Sequence, residues 1–167
     1  DFTFTPNPAL VLQNVNFADA STGLNLQQWI WDFGDGEGDN NQNPIHAYDD
    51  GGDYLIYLIV EDANGCTDTT SQLITVALPP VLPTGFTPNG DNENDVFIIR
   101  GGPFKEVDFK IYNNWGELIF QSFDANIGWD GTFNNAPAPL GVYTWTFAVT
   151  LTNDVIIKKS GDVTLIR

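Results

Sequence analysis

Two side chains invite a catalytic reading, His46 and Cys66, and each is the sole member of its type. A nucleophile needs a base within hydrogen-bond reach and a third group that orients the base. The chain offers no second His and no Ser or Cys in a recognisable activating context. His46 is therefore expected to hydrogen-bond structurally within the fold, and Cys66, with no disulfide partner, to remain a free thiol. The 22 acidic residues are a richer source of chemistry. Asn89, Asp91, Glu93 and Asp95 put oxygen-bearing side chains at alternate positions just before the apolar run Val96–Ile99, a spacing able to wrap Ca²⁺. The EF-hand pattern, with Gly sixth and Glu last in its loop, is not met. The same residues equally suit a loop whose Asx side chains bond its own backbone. No two carboxylates stand in a motif that would drive their pKa values apart, as glycoside hydrolysis requires. No enzyme is expected.

Charge narrows the partners. A net charge of −16 argues against nucleic acid, whose phosphates are met by clustered Lys and Arg. Residues 1–80 hold 12 acidic and no basic residues, whereas 81–167 hold 10 acidic residues and all six basic ones. That step coincides with Leu78-Pro79-Pro80-Val81-Leu82-Pro83, whose prolines favour an extended spacer. The expected division is a domain over 1–78, a Pro-rich linker at 79–83 and a second domain over 84–167. No run is long enough to cross a bilayer and no leader pattern opens the chain. A soluble, mature segment is expected, with any N-terminal address upstream.

The elements that must position these residues read as strands. Helical periodicity is missing, and short alternating apolar runs recur between Gly, Asn, Asp and Pro. The fold class expected is all-β: two tandem antiparallel β-sandwiches of immunoglobulin-like type, with no significant helix. Strands are expected at 9–12, 15–18, 27–33, 54–61 and 72–76, then at 95–99, 106–112, 117–123, 141–151 and 155–166. Trp29, Trp31 and Phe33, spaced by two, should line one inner face, with Ile30 covered on the other. Tyr143, Trp145 and Phe147 should form a second inward ladder, and Trp115 should anchor a turn in the core.

Four motifs in order cover residues 1–78: Trp31-Asp32-Phe33-Gly34-Asp35-Gly36, Pro44-x-His46-x-Tyr48, Gly52-x-Tyr54 and Val60-x-Asp62-Ala63-Asn64-Gly65. Together they resemble a PKD domain. The resemblance implies a seven-stranded sandwich used as a spacer or adhesive module on extracellular proteins. It also makes Asp32, Asp35 and Asp62, with Asn16, candidate Ca²⁺ ligands. Against this stands the simpler role of aspartates that cap turns.

Five more motifs cover residues 83–167: Phe86-Thr87-Pro88-Asn89-Gly90-Asp91-x-x-x-Asp95, Ile111-Tyr112-Asn113-x-Trp115-Gly116-Glu117, Trp129-Asp130-Gly131-Thr132, Gly141-Val142-Tyr143 and the closing Thr164-Leu165-Ile166-Arg167. This half is similar to the gliding motility-associated C-terminal domain, the type B sorting domain of type IX secretion in Bacteroidota. What that implies is the C-terminal region of a secreted cell-surface protein, a large adhesin of the gliding type. It would pass through the periplasm, recognised by the translocon and an outer-membrane β-barrel partner, with an extracellular glycan or surface ligand for the adhesive module. Asn114 stands where the family usually has Arg, so contacts of that guanidinium cannot be carried over. The alternative is a carbohydrate-binding accessory module of a glycan-degrading protein. A row of solvent-facing tryptophans would favour it.

Overall fold

A computed structural model describes all 167 residues; the chain is all-β, without helix. It divides into two compact units, Asp1–Leu78 and Pro79–Arg167.

In the first unit one sheet is built from β1 (Phe2–Thr5), β3 (Val15–Asp19) and β6 (Ile45–His46) in the order β1-β3-β6, with β2 (Ala9–Leu10) lying between β1 and β3 in sequence. The facing sheet runs β8 (Thr67–Val81), β7 (Gly52–Asp62), β4 (Leu26–Asp32) and β5 (Gly38–Asp39), and β2 pairs in parallel with β8. The alternation in β7 explains its placement: Ile56, Leu58 and Val60 are buried, whereas Leu55 and Tyr57 on either side of Ile56 are exposed. Phe2, Phe17, Trp31 and Phe33 fill the space between the layers, with Phe17 and Phe33 rings 5.0 Å apart. Each such side chain contributes roughly 1.5–3 kcal/mol of burial.

Two expectations need correcting here. Ile30 is 43% exposed, not covered: β4 is interior in its sheet, but only the Trp31 face of that sheet meets the other layer. The strand β1 was not expected at all. Its Phe-Thr-Phe-Thr alternation is a four-residue signal, and it is fixed by pairing with β3, Phe4 opposite Phe17.

The second unit is organised on a five-stranded sheet. Its order is β12 (Leu118–Ser122), β11 (Glu106–Tyr112), β15 (Gly141–Thr150), β16 (Ile156–Leu165) and β9 (Gly85–Phe86). All neighbours are antiparallel except β16 and β9. Val107, Phe109, Ile111, Tyr143, Phe147, Val149, Val163 and Leu165 point inward, and Phe86, Phe97 and Trp129 pack on them. The short strand β10 (Arg100–Gly102) pairs with the long β8, and a hairpin of β13 (Thr132–Phe133) with β14 (Ala136–Pro137) brings Phe133 and the following Ala138 against the core.

The strand expected over 95–99 is not formed. Phe97 alone bridges, its amide and carbonyl exchanging hydrogen bonds of 2.8 and 2.9 Å with Trp129. The apolar alternation there records burial of Phe97 and Ile99, and the backbone finds one partner residue instead of a ladder. Nor does Trp115 enter the core; it is 93% exposed.

Candidate functional site

In the first unit the chemistry-bearing residues meet around His46. Phe33 leaves β4 and stacks flat on the imidazole, with ring centroids 4.1 Å apart. Gly34 makes the next step with φ of +82°, where a Cβ would come within 2.6 Å of the Leu55 carbonyl oxygen. The turn brings Asp35 back to His46, with Oδ2 2.6 Å from Nε2. Tyr48 O–H donates to the Phe33 carbonyl at 3.2 Å, and burial, with Asp35 nearby, pushes its phenol well above the usual value. His46 is thus a buried histidine held by an aromatic stack and a carboxylate, with no nucleophile beside it.

The candidate metal ligands are placed in turns. Asp32 accepts the Gly34 amide at 2.9 Å and Asp35 that of Glu37 at 3.0 Å. Asp62 accepts the amides of Cys66 and Asn64, at 3.0 and 2.8 Å, and these bonds hold its carboxyl below the ordinary range. In the second unit Asn89 and Asp91 accept the amides two residues on. Asp95 accepts from Gly90, Asn92 and Asn89, each at 2.8 Å, which lowers its pKa, the Gly90 bond most. Glu93 contributes its amide to Asp91, and Asn16 lies on β3 opposite Ile45. No three His, Cys, Asp or Glu side chains converge into a cluster able to hold a metal ion.

A second concave feature was not anticipated. The β11–β12 turn is built by Asn113, whose Oδ1 accepts the amides of Trp115 and Glu117 at 3.0 Å, so Trp115 is carried on the outside of the turn. Beside it lies a pocket of about 230 Å³ whose walls include Trp115, Ile119, Phe133, Leu140, Val142 and Tyr143. Tyr143 O–H donates to the Pro139 carbonyl at 2.6 Å, and Arg167 donates to the carbonyls of Ala138 and Gly131 at 3.0 and 3.2 Å. These bonds tie the 131–139 segment down as the pocket wall. Burial raises the Tyr143 pKa, with Arg167 opposing. The signal for this site was the turn chemistry of Asn113 to Gly116, because a tryptophan at a turn tip faces water unless something covers it.

The order of elements and the paired motifs find a match. The CHU_C Type IX secretion signal domain matches residues 81–165, about half of the chain, and a PKD domain matches residues 6–77. The chain belongs to the CHU_C type IX secretion signal domain family. Its first unit is a PKD domain and its second carries the signal, and neither is a catalytic domain type.

Among relatives, collagenase ColQ1 of Bacillus cereus is 26% identical over 134 residues, covering 66% of this chain and 14% of that protein. Pre-pro-metalloprotease PrtV of Vibrio cholerae is 35% identical over 74 residues, covering 44% of this chain and 8% of that protein. The chain therefore spans only a small part of the curated relatives it matches. The solved PKD1 domain of Vibrio cholerae PrtV aligns with 29% identity and a TM-score of 0.41, over 46% of this chain and 91% of that one. A type IX secretion signal marks the product as an exported, extracellular or cell-surface protein, and the signal implies contact with the secretion machinery.

Proposed function

We infer that the signal domain is the address of a large surface adhesin of the gliding-motility type. It is read during passage from the periplasm by the translocon and an outer-membrane β-barrel partner. The PKD domain serves as a spacer that holds adhesive modules off the surface and meets glycans or other surface ligands. The observation that carries this reading is the match of the signal family across residues 81–165. The histidine and cysteine arrangement supports the non-catalytic part: His46 is stacked on Phe33 and hydrogen-bonded to Asp35, and Cys66 is an exposed free thiol.

A reporter carrying residues 1–167 at its C-terminus should reach the surface of a type IX-competent cell, and one carrying only residues 1–80 should stay in the periplasm. Surface delivery of the shorter fusion would defeat the assignment. The carbohydrate-binding reading predicts a row of exposed tryptophans. Here Trp31 and Trp129 are buried, Trp29 and Trp145 half-buried, and Trp115 stands alone in solvent, which favours the sorting reading.

A further inference from the structure

The two ends of the signal-domain sheet are finished differently. At one end β16 pairs with β9 only through Thr164 and Leu165, and the rest of its outer edge carries Lys158 and Lys159. Charged edge residues, Lys above all, discourage another strand from adding. At the other end β12, Leu118-Ile119-Phe120-Gln121-Ser122, pairs with β11 alone and carries no charge. An unblocked edge leaves backbone donors and acceptors ready for an added strand. Its surroundings are apolar as well: Trp115 precedes it, Phe123 follows it 72% exposed, and Ile119 lines the pocket that Leu140 and Val142 complete.

We propose that β12 is a docking edge: an extended segment of the export machinery adds to it as a further strand and sets an apolar side chain into the Trp115 pocket. Backbone pairing then supplies affinity and the pocket supplies selection. Charge decides the kind of occupant. Glu117 and Asp124 bracket the strand in a chain of net charge −16. A second copy would bring like carboxylates together across the new pairing, which destabilises it. A neutral-to-basic segment of a different protein does not. This inference rests on the sorting reading.

The test uses the full chain fused behind a neutral reporter in type IX-competent cells. Trp115→Ser and Leu118→Lys, both at exposed positions, should each cut surface delivery about tenfold or more, as loss of a hot-spot anchor does. Gln121→Lys, a second charge on the edge, should act the same way. Ile156→Lys on the opposite edge should leave delivery within about twofold of wild type. Purified variants should keep the wild-type melting midpoint, which separates lost recognition from lost folding. If the wild-type fusion is not delivered, the sorting reading itself fails. If it is delivered and Trp115→Ser and both lysine variants are too, the docking edge fails while the sorting reading stands. Sedimentation should find a monomer at micromolar concentration. A dimer that Leu118→Lys dissociates would make the occupant a second copy and overturn the proposal.

Discussion

Arg167 joins the carbonyl of Ala138, in the pocket wall, to that of Gly131, seven residues earlier in the chain. A planar guanidinium presents its donors in a rigid fork that meets both at once, whereas a lysine ammonium is a point charge on a flexible stem with no such preset geometry. Hydrogen bonds to charged groups contribute about 1.5–3 kcal/mol, and solvent at this site lowers the expected cost of Arg167→Ala to about 1–2 kcal/mol, with Arg167→Lys recovering little. Thermal melts of the two variants would check this. The carboxylates that close turns make a second residue-scale prediction. The carboxyls of Asp62 and Asp95 are held below the ordinary aspartate range because they accept backbone amides, Cys66 first for Asp62 and Gly90 first for Asp95. A depressed folded pKa gives stability that is present above the unfolded value and lost as pH falls through the folded one. Both units should therefore hold their midpoints from neutral pH down to about 4 as far as these two groups are concerned, and lose stability below it. Asp95→Asn should flatten that acid limb for the signal domain, as a pH series of melts would reveal.

At the scale of elements, the Phe97–Trp129 bridge depends on a close approach. A Cβ on Gly128 would come within 2.5 Å of the Phe97 carbonyl oxygen and 2.6 Å of Val96 Cγ1. Because the nearest atom is backbone, the pieces cannot part without opening the bridge. Gly128→Ala should cost about 1–3 kcal/mol or more, the usual range for overpacking, and lower the midpoint of the signal domain. Long strands such as β7, β11 and β15 were legible in the sequence because their alternation is sustained along the strand against solvent on one side. The short strands β1, β5, β6, β9, β13 and β14 were not. Two to four residues give no usable period, and such strands exist because a partner from elsewhere in the chain lies beside them. The run at 95–99 failed for the reverse reason: a good period with one backbone partner.

For the whole molecule, truncation of a buried aromatic typically costs 3–5 kcal/mol, against a total stability of about 5–15 kcal/mol for a domain. Trp31 and Trp129 are both almost fully buried, one in each unit. Trp129→Ala should abolish export of a fused reporter, while Trp31→Ala should damage the PKD domain and spare delivery; a surface assay with both variants separates the two roles. Metal dependence is argued at the same scale. With the turn carboxylates given to backbone amides and no cluster formed, melts in EDTA and in millimolar CaCl₂ should coincide. A rise of about 2.7 kcal/mol at a hundredfold excess over Kd would mean that the loops rearrange into a cage, and Asp32→Ala and Asp91→Ala would then assign it.

Sequence alone determined the class of fold and the two motif sets. Those properties are carried by local spacing and by turn chemistry. It also pointed to His46 as structural, although not to Phe33 and Asp35 as the groups that hold it. Only the tertiary structure decided which aromatics are inside. Trp31 and Trp115 both stand in motifs, yet one is buried between two layers and the other is in solvent. Burial is a property of what lies opposite a side chain, and for Trp115 nothing does. The same reason hid the candidate site: its walls come from the β11–β12 turn, the β13–β14 hairpin and the start of β15, segments up to 30 residues apart that share a surface only because β11 and β15 pair.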